Sequence, residues 1–103
     1  MDNNLVEILL VGTDIQVVKI IIRLINNNPQ WNASSAMSVV DAKLLMLENN
    51  FRILLIGAGL TNLEESELCV FTKSNFTTIS IVQHYGGGSG LLSAEILNAL
   101  NYN

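Results

Sequence analysis

Hydrophobic positions fall in blocks along this chain. Residues 5–11 form an apolar run broken only by Glu7, residues 51–56 form a second broken by Arg52, and residues 77–83, with Ile79, Ile81 and Val82, form a third strand candidate. Such runs suit strands buried on both faces of a parallel sheet. Between them, apolar residues recur every three or four positions: Val17, Ile20, Ile21, Leu24 and Ile25, then Val40, Leu44 and Leu47, and finally Leu92, Ile96 and Leu100. That spacing predicts helices with these residues on the buried stripes. A further helical stretch holds Leu63, Leu68, Val70 and Phe71, which make no single clean face. Trp31 to Met37 is small and polar and predicts an edge strand.

Capping signals mark the helix starts. Thr13 with Gln16, and Thr61 with Glu64, have the spacing of a capping box, in which two side chains satisfy orphan backbone donors reciprocally. Ser38 predicts a cap for the second helix, with Asp41 near its positive end. Asn26-Asn27-Asn28-Pro29 and Glu48-Asn49-Asn50 supply stop signals. The predicted order is β-α-β-α-β-α-β-α. That alternation implies a three-layer α/β domain spanning residues 1–103, with a mostly parallel four-stranded sheet and right-handed crossovers.

Composition narrows the function classes. Half of the 103 residues are hydrophobic and 14% are charged, against about 25% charged in ordinary soluble domains. A chain so apolar is expected to self-associate. The net charge is −4, with five Lys and Arg residues in all. That argues against nucleic acid or an anionic membrane surface as partner, since both need clustered positive charge. No apolar stretch reaches the roughly 18 residues of a membrane span. Met1-Asp2-Asn3-Asn4 is polar and does not read as a secretory leader. The single cysteine, Cys69, permits neither an internal disulfide nor a zinc cluster; its helical setting beside Val70 and Phe71 predicts a small buried hydrophobe. A cytoplasmic location is expected.

Candidate chemistry sits where the strands end, the usual ligand rim of open α/β sheets. The strand ends read Gly12-Thr13-Asp14, Gly57-Ala58-Gly59 and Gln83-His84. Asp14 is expected to interact with a helix start, and His84 has no nucleophile or carboxylate placed beside it by a known motif. The run Gly86-Gly87-Gly88-Ser89-Gly90 precedes the last helix, where backbone N–H groups can cradle an anion. It lacks the Lys-Ser/Thr of a P-loop, so a tight turn is its simpler reading.

Taken with the strand–helix rhythm, Glu7-Ile8-Leu9-Leu10-Val11, Phe51-Arg52-Ile53-Leu54-Leu55-Ile56 and Thr77 to Val82 resemble the first, third and fourth strands of a response-regulator receiver domain of flavodoxin-like architecture. The resemblance spans nearly the whole chain. It implies an acidic, magnesium-binding pair after the first strand, where this chain has Gly12-Thr13. It also implies a phosphoacceptor aspartate at the end of the third strand, where Gly57 or Ala58 stands. The family's hydroxyl residue at the end of the fourth strand is replaced by Gln83-His84, and its fifth strand and following lysine have no counterpart. The resemblance therefore implies a pseudo-receiver, a scaffold with no phosphoacceptor that cannot run phosphotransfer; with one aspartate on the rim and no acid–base pair or nucleophile constellation, no metal, cofactor or enzymatic activity is expected. A phosphorylation-independent regulatory or protein-interaction module in two-component-like signalling is the expected function. A homodimer through the fourth strand's edge is expected, because an unpaired edge must be covered. The alternative is a small-ligand or anion-binding domain using the Gly12, Gly57 and Gly86–Gly90 strand ends together, with Thr13, Asp14 and His84 on the same rim.

Overall fold

The computed structural model describes residues 5–84 and 89–101. Four strands and four helices alternate: β1 (Val6–Val11), α1 (Ile15–Asn26), β2 (Trp31–Ala36), α2 (Val39–Glu48), β3 (Ile53–Ile56), α3 (Asn62–Asn75), β4 (Ser80–Gln83) and α4 (Ser89–Asn101). The strands are all parallel and lie in the order β2-β1-β3-β4. β3 and β4 are shorter than their apolar runs, because only residues 53–56 and 80–83 reach neighbouring backbone in register.

Strand periodicity divides the core in two. Ile8, Leu10, Ile53 and Leu55 point to the face covered by α1 and α4, where Val18, Ile21, Ile25, Leu92 and Ile96 meet them. Leu9, Val11, Leu54 and Ile56 point to the other face, against Val39, Ala42 and Met46 of α2 and Leu68 of α3. Successive side chains of a strand face opposite ways, so a strand between two helical layers must be apolar at every position. This is why Ile8 to Val11 of β1 and Ile53 to Ile56 of β3 read as continuous runs. Burying each such Leu or Ile contributes about 1.5–3 kcal/mol.

Two helices turn differently from their apolar spacing. On α1, Val18, Ile21 and Ile25 are buried while Val17 and Ile20 are exposed. On α2, Val39, Ala42 and Met46 are buried, whereas Val40, Leu44 and Leu47 are 66%, 54% and 64% exposed. Apolar residues occupy several sides of both helices, so spacing alone does not select a face. Ala42, fully buried in the cluster with Leu9 and Leu54, marks the side of α2 that faces the sheet.

The helix starts follow the capping signals with one change. Ser38 Oγ accepts from Asp41 N–H. Thr61 and Glu64 form a complete capping box, with both reciprocal hydrogen bonds present. At α1 the cap is Asp14, not Thr13: Asp14 Oδ1 accepts from the N–H groups of Gln16 and Val17 at 3.0 and 3.3 Å. A carboxylate at this place also meets the positive end of the helix.

The two sheet edges differ in character. β2 is polar at Asn32, Ser34 and Ser35, and its Ala33 N–H donates to the Asn26 side chain at 2.9 Å. Asn32 Nδ2 donates to Glu7 Oε1 on the neighbouring strand. β4, the opposite edge, is the uncharged segment Ser80-Ile81-Val82-Gln83, flanked by α3 on one face and α4 on the other.

Candidate site at the strand ends

Register brings the predicted rim together. Val11 pairs with Ile56, and Ile56 with Gln83, so Gly12, Gly57 and His84 follow side by side. Backbone bonds continue past the strands: Gly57 N–H donates to Val11 O, His84 N–H to Ile56 O, and Gly12 N–H to Ala36 O. A cleft of about 290 Å³ opens between the β1 and β3 ends and α1. Gly12, Thr13, Asp14, Gly57, Ala58 and Gly59 form its mouth, and Leu10, Val17, Val18 and Ile21 its apolar floor and wall.

The glycines shape this cleft unequally. Gly59 has φ 109°, a conformation that side chains other than glycine's rarely adopt, and a Cβ there would collide with Thr13 Oγ1. The turn after β3 is thus pressed onto the turn after β1. At Gly57 a Cβ would make ordinary contacts, 3.4 Å from Val11 O and 3.6 Å from Leu10 Cδ1. At Gly12 it would press on Val18 Cγ2 at 3.3 Å.

Among the described residues, Asp14 is the only acidic residue lining the cleft, and no lysine or arginine lines it. Its Oδ1 is already committed to the α1 cap. Magnesium requires several oxygen ligands and carboxylate charge. The donor set at this rim, with glycine at 12 and 57, does not fit that ion. No cluster of three or more His, Cys, Asp or Glu side chains that could hold a metal occurs among the described residues.

His84 is 4% exposed, and its Nδ1 lies 2.6 Å from Oε1 of Glu95 on α4. The sequence reading missed this carboxylate. Glu95 stands eleven positions beyond His84 on another element, and no spacing rule links a strand end to the middle of the following helix. The pair faces α4 and lies outside the cleft lining. Gly86, Gly87 and Gly88, expected as an anion cradle, lie outside the described residues. Ser89 and Gly90 form the first residues of α4, so that end of the run is helical. Cys69 is half-buried, packed against the α2–α3 core from the side facing β4.

No family model matches this sequence, and no curated protein does. Solved structures match along nearly its whole length. One is the signal receiver domain of an HD domain-containing protein from Pseudomonas fluorescens Pf-5. It aligns with a TM-score of 0.71 and 16% identity, over 96% of this chain and 72% of that one. The fold is that of a response-regulator receiver domain. A response regulator receiver protein from Pseudomonas putida aligns equally well, with a TM-score of 0.70 and 12% identity over 95% of this chain and 82% of that one. At such identities the likeness establishes the fold alone. Among the described residues the sheet has four parallel strands. No helix among those residues is long and apolar enough to cross a membrane.

Proposed function

We propose that this domain is a regulatory module on a receiver scaffold that works through protein contact and without phosphorylation or catalysis, in a two-component-like signalling setting in the cytoplasm. The observation that carries this reading is the rim itself. Gly12 and Gly57 stand side by side at the ends of β1 and β3, and the nearest carboxylate, Asp14, caps α1. Without a carboxylate at position 57 no acyl phosphate forms there, and without a set of hard oxygen ligands no magnesium assists one. Self-association through the β4 side of the sheet is part of this reading, supported by an edge strand that carries no charge.

The apolar cleft beside Gly12 and Gly57 favours one second reading, a small-ligand domain, because doubly wound folds bind ligands at this rim. Thermal shift separates the two. The protein is heated with magnesium, inorganic phosphate, nucleotides and flavin in turn. A module that acts by protein contact keeps its melting temperature throughout. A rise with any one of them supports the ligand-binding reading instead, since a ligand of the native state stabilises it.

A further inference from the structure

The β4 edge and the α3 surface beside it have matching periods. Ser80 N–H and His84 N–H donate inward, to Arg52 O and Ile56 O of the β3 side. In a parallel pair the residues alternate, so Ile79, Ile81 and Gln83 direct their backbone N–H and C=O groups outward. The side chains of those same three residues line a shallow groove with Cys69 and Lys73 of α3. Gln83 Nε2 donates to Glu65 Oε1 at 3.3 Å, which fixes the start of α3 beside the end of β4. Glu65, Cys69 and Lys73 recur every four residues and so form one row along α3. From Glu65 to Lys73 the helix rises about 12 Å. From Gln83 back to Ile79 the strand spans about 13 Å. The row therefore runs beside the strand in step: Glu65 by Gln83, Cys69 by Ile81, Lys73 by Ile79.

We infer that the occupant of this edge is a second copy of the chain, with the two β4 strands paired antiparallel and Ile81 opposite Ile81. A two-fold axis normal to the sheet keeps α3 next to α3 and reverses its direction. Gln83 then faces Ile79 of the second copy, and Glu65 faces Lys73 of the second copy, at both ends of the seam. Ile81 and Cys69 meet their own counterparts at the axis. The row is thus complementary in charge to itself only when reversed. That complementarity selects an antiparallel second copy over other occupants. Antiparallel strands added to the edge of a parallel sheet are common, and the result is a continuous eight-stranded sheet (twice the four strands of one copy). On the opposite face the seam is flanked by Glu95, Asn98 and Ala99. Glu95 bonds to His84 beyond the end of β4, so reversal sets the two copies' glutamates at opposite ends of the seam.

This inference rests on the protein-contact reading but is tested separately from it. Sedimentation equilibrium at concentrations on the order of tens of micromolar is run on four proteins: wild type, Lys73→Glu, Glu65→Lys and the double swap. The expected result is a wild-type dimer, a dissociation constant raised at least about tenfold in each single swap by two like-charge contacts, and recovery in the double swap. In parallel, a short bismaleimide should join two wild-type chains through Cys69, the chain's single cysteine, and fail to do so in Lys73→Glu. A monomeric wild type, or a dimer indifferent to both single swaps, overturns the inference. Neither result bears on phosphorylation, which is read by covalent phosphate on the chain.

Discussion

Nδ1 of His84 and Oε1 of Glu95 lie 2.6 Å apart, joining the end of β4 to the middle of α4. The histidine is 4% exposed and the glutamate side chain 25%. Leu92 and Ile96 also hold α4 against the sheet, but apolar burial is non-directional. The hydrogen bond therefore orients α4 on the sheet. His84→Ala should cost about 1–3 kcal/mol, the usual penalty for leaving a largely buried partner unsatisfied. Urea unfolding of His84→Ala, Glu95→Ala and the double variant measures it. Additive losses from the two single changes would show that the pair is not coupled.

The contact between Gly59 and Thr13 makes a second expectation. At φ 109°, with Thr13 Oγ1 in the path of any Cβ, Gly59→Ala is strained in two ways. It should destabilise by about 1–3 kcal/mol. Removing the hydroxyl with Thr13→Ala in the same chain should recover part of the loss, since the backbone strain persists. Thermal unfolding of the three variants checks this. A Gly59→Ala protein as stable as wild type would mean that the β3 turn does not press on the β1 turn.

The rotation of α2 is open to the same kind of test. Met46 is 1% exposed and Leu44 54%. Met46→Ala should cost about 2–5 kcal/mol through lost burial and a residual cavity. Leu44→Gln should stay within about 0.5 kcal/mol of wild type. The reverse ranking in chemical denaturation would restore the stripe that spacing alone predicts.

Much of this fold is legible in the chain, and what is not has identifiable causes. β1 and β3 are plain because strands between two helical layers must be apolar at every position, as Ile8 to Val11 and Ile53 to Ile56 are. The Thr61–Glu64 box is local, so its spacing suffices. At α1 two adjacent residues, Thr13 and Asp14, are both good caps, and spacing alone does not choose between them; Asp14 takes the role, and Thr13 lies close to the turn at Gly59. The faces of α1 and α2 are ambiguous because apolar residues surround them. Of the candidate rim residues, Gly12 and Gly57 come together as strand spacing predicts. Glu95 stays hidden because only the packing of α4 brings it to His84.

The residues at the rim also bear on attempts to restore phosphotransfer. A Cβ at Gly57 meets ordinary contacts, and one at Gly12 requires Val18 to yield slightly. Gly12→Asp with Gly57→Asp should therefore fold. It should still accept phosphate poorly, because among the described residues no lysine or arginine lines the cleft to meet the phosphoryl charge. Intact-mass analysis after incubation with magnesium and acetyl phosphate reads the yield. Near-complete modification of the double variant would show that two carboxylates suffice.

The most direct measurement is the same incubation applied to the wild-type chain. Asp14 is the acidic residue at the cleft, and its oxygen is held by two backbone N–H groups at the start of α1. The expected result is an unchanged intact mass over the full time course. A mass increase of one phosphoryl group, mapped to any aspartate, would contradict a receiver fold that regulates without phosphorylation.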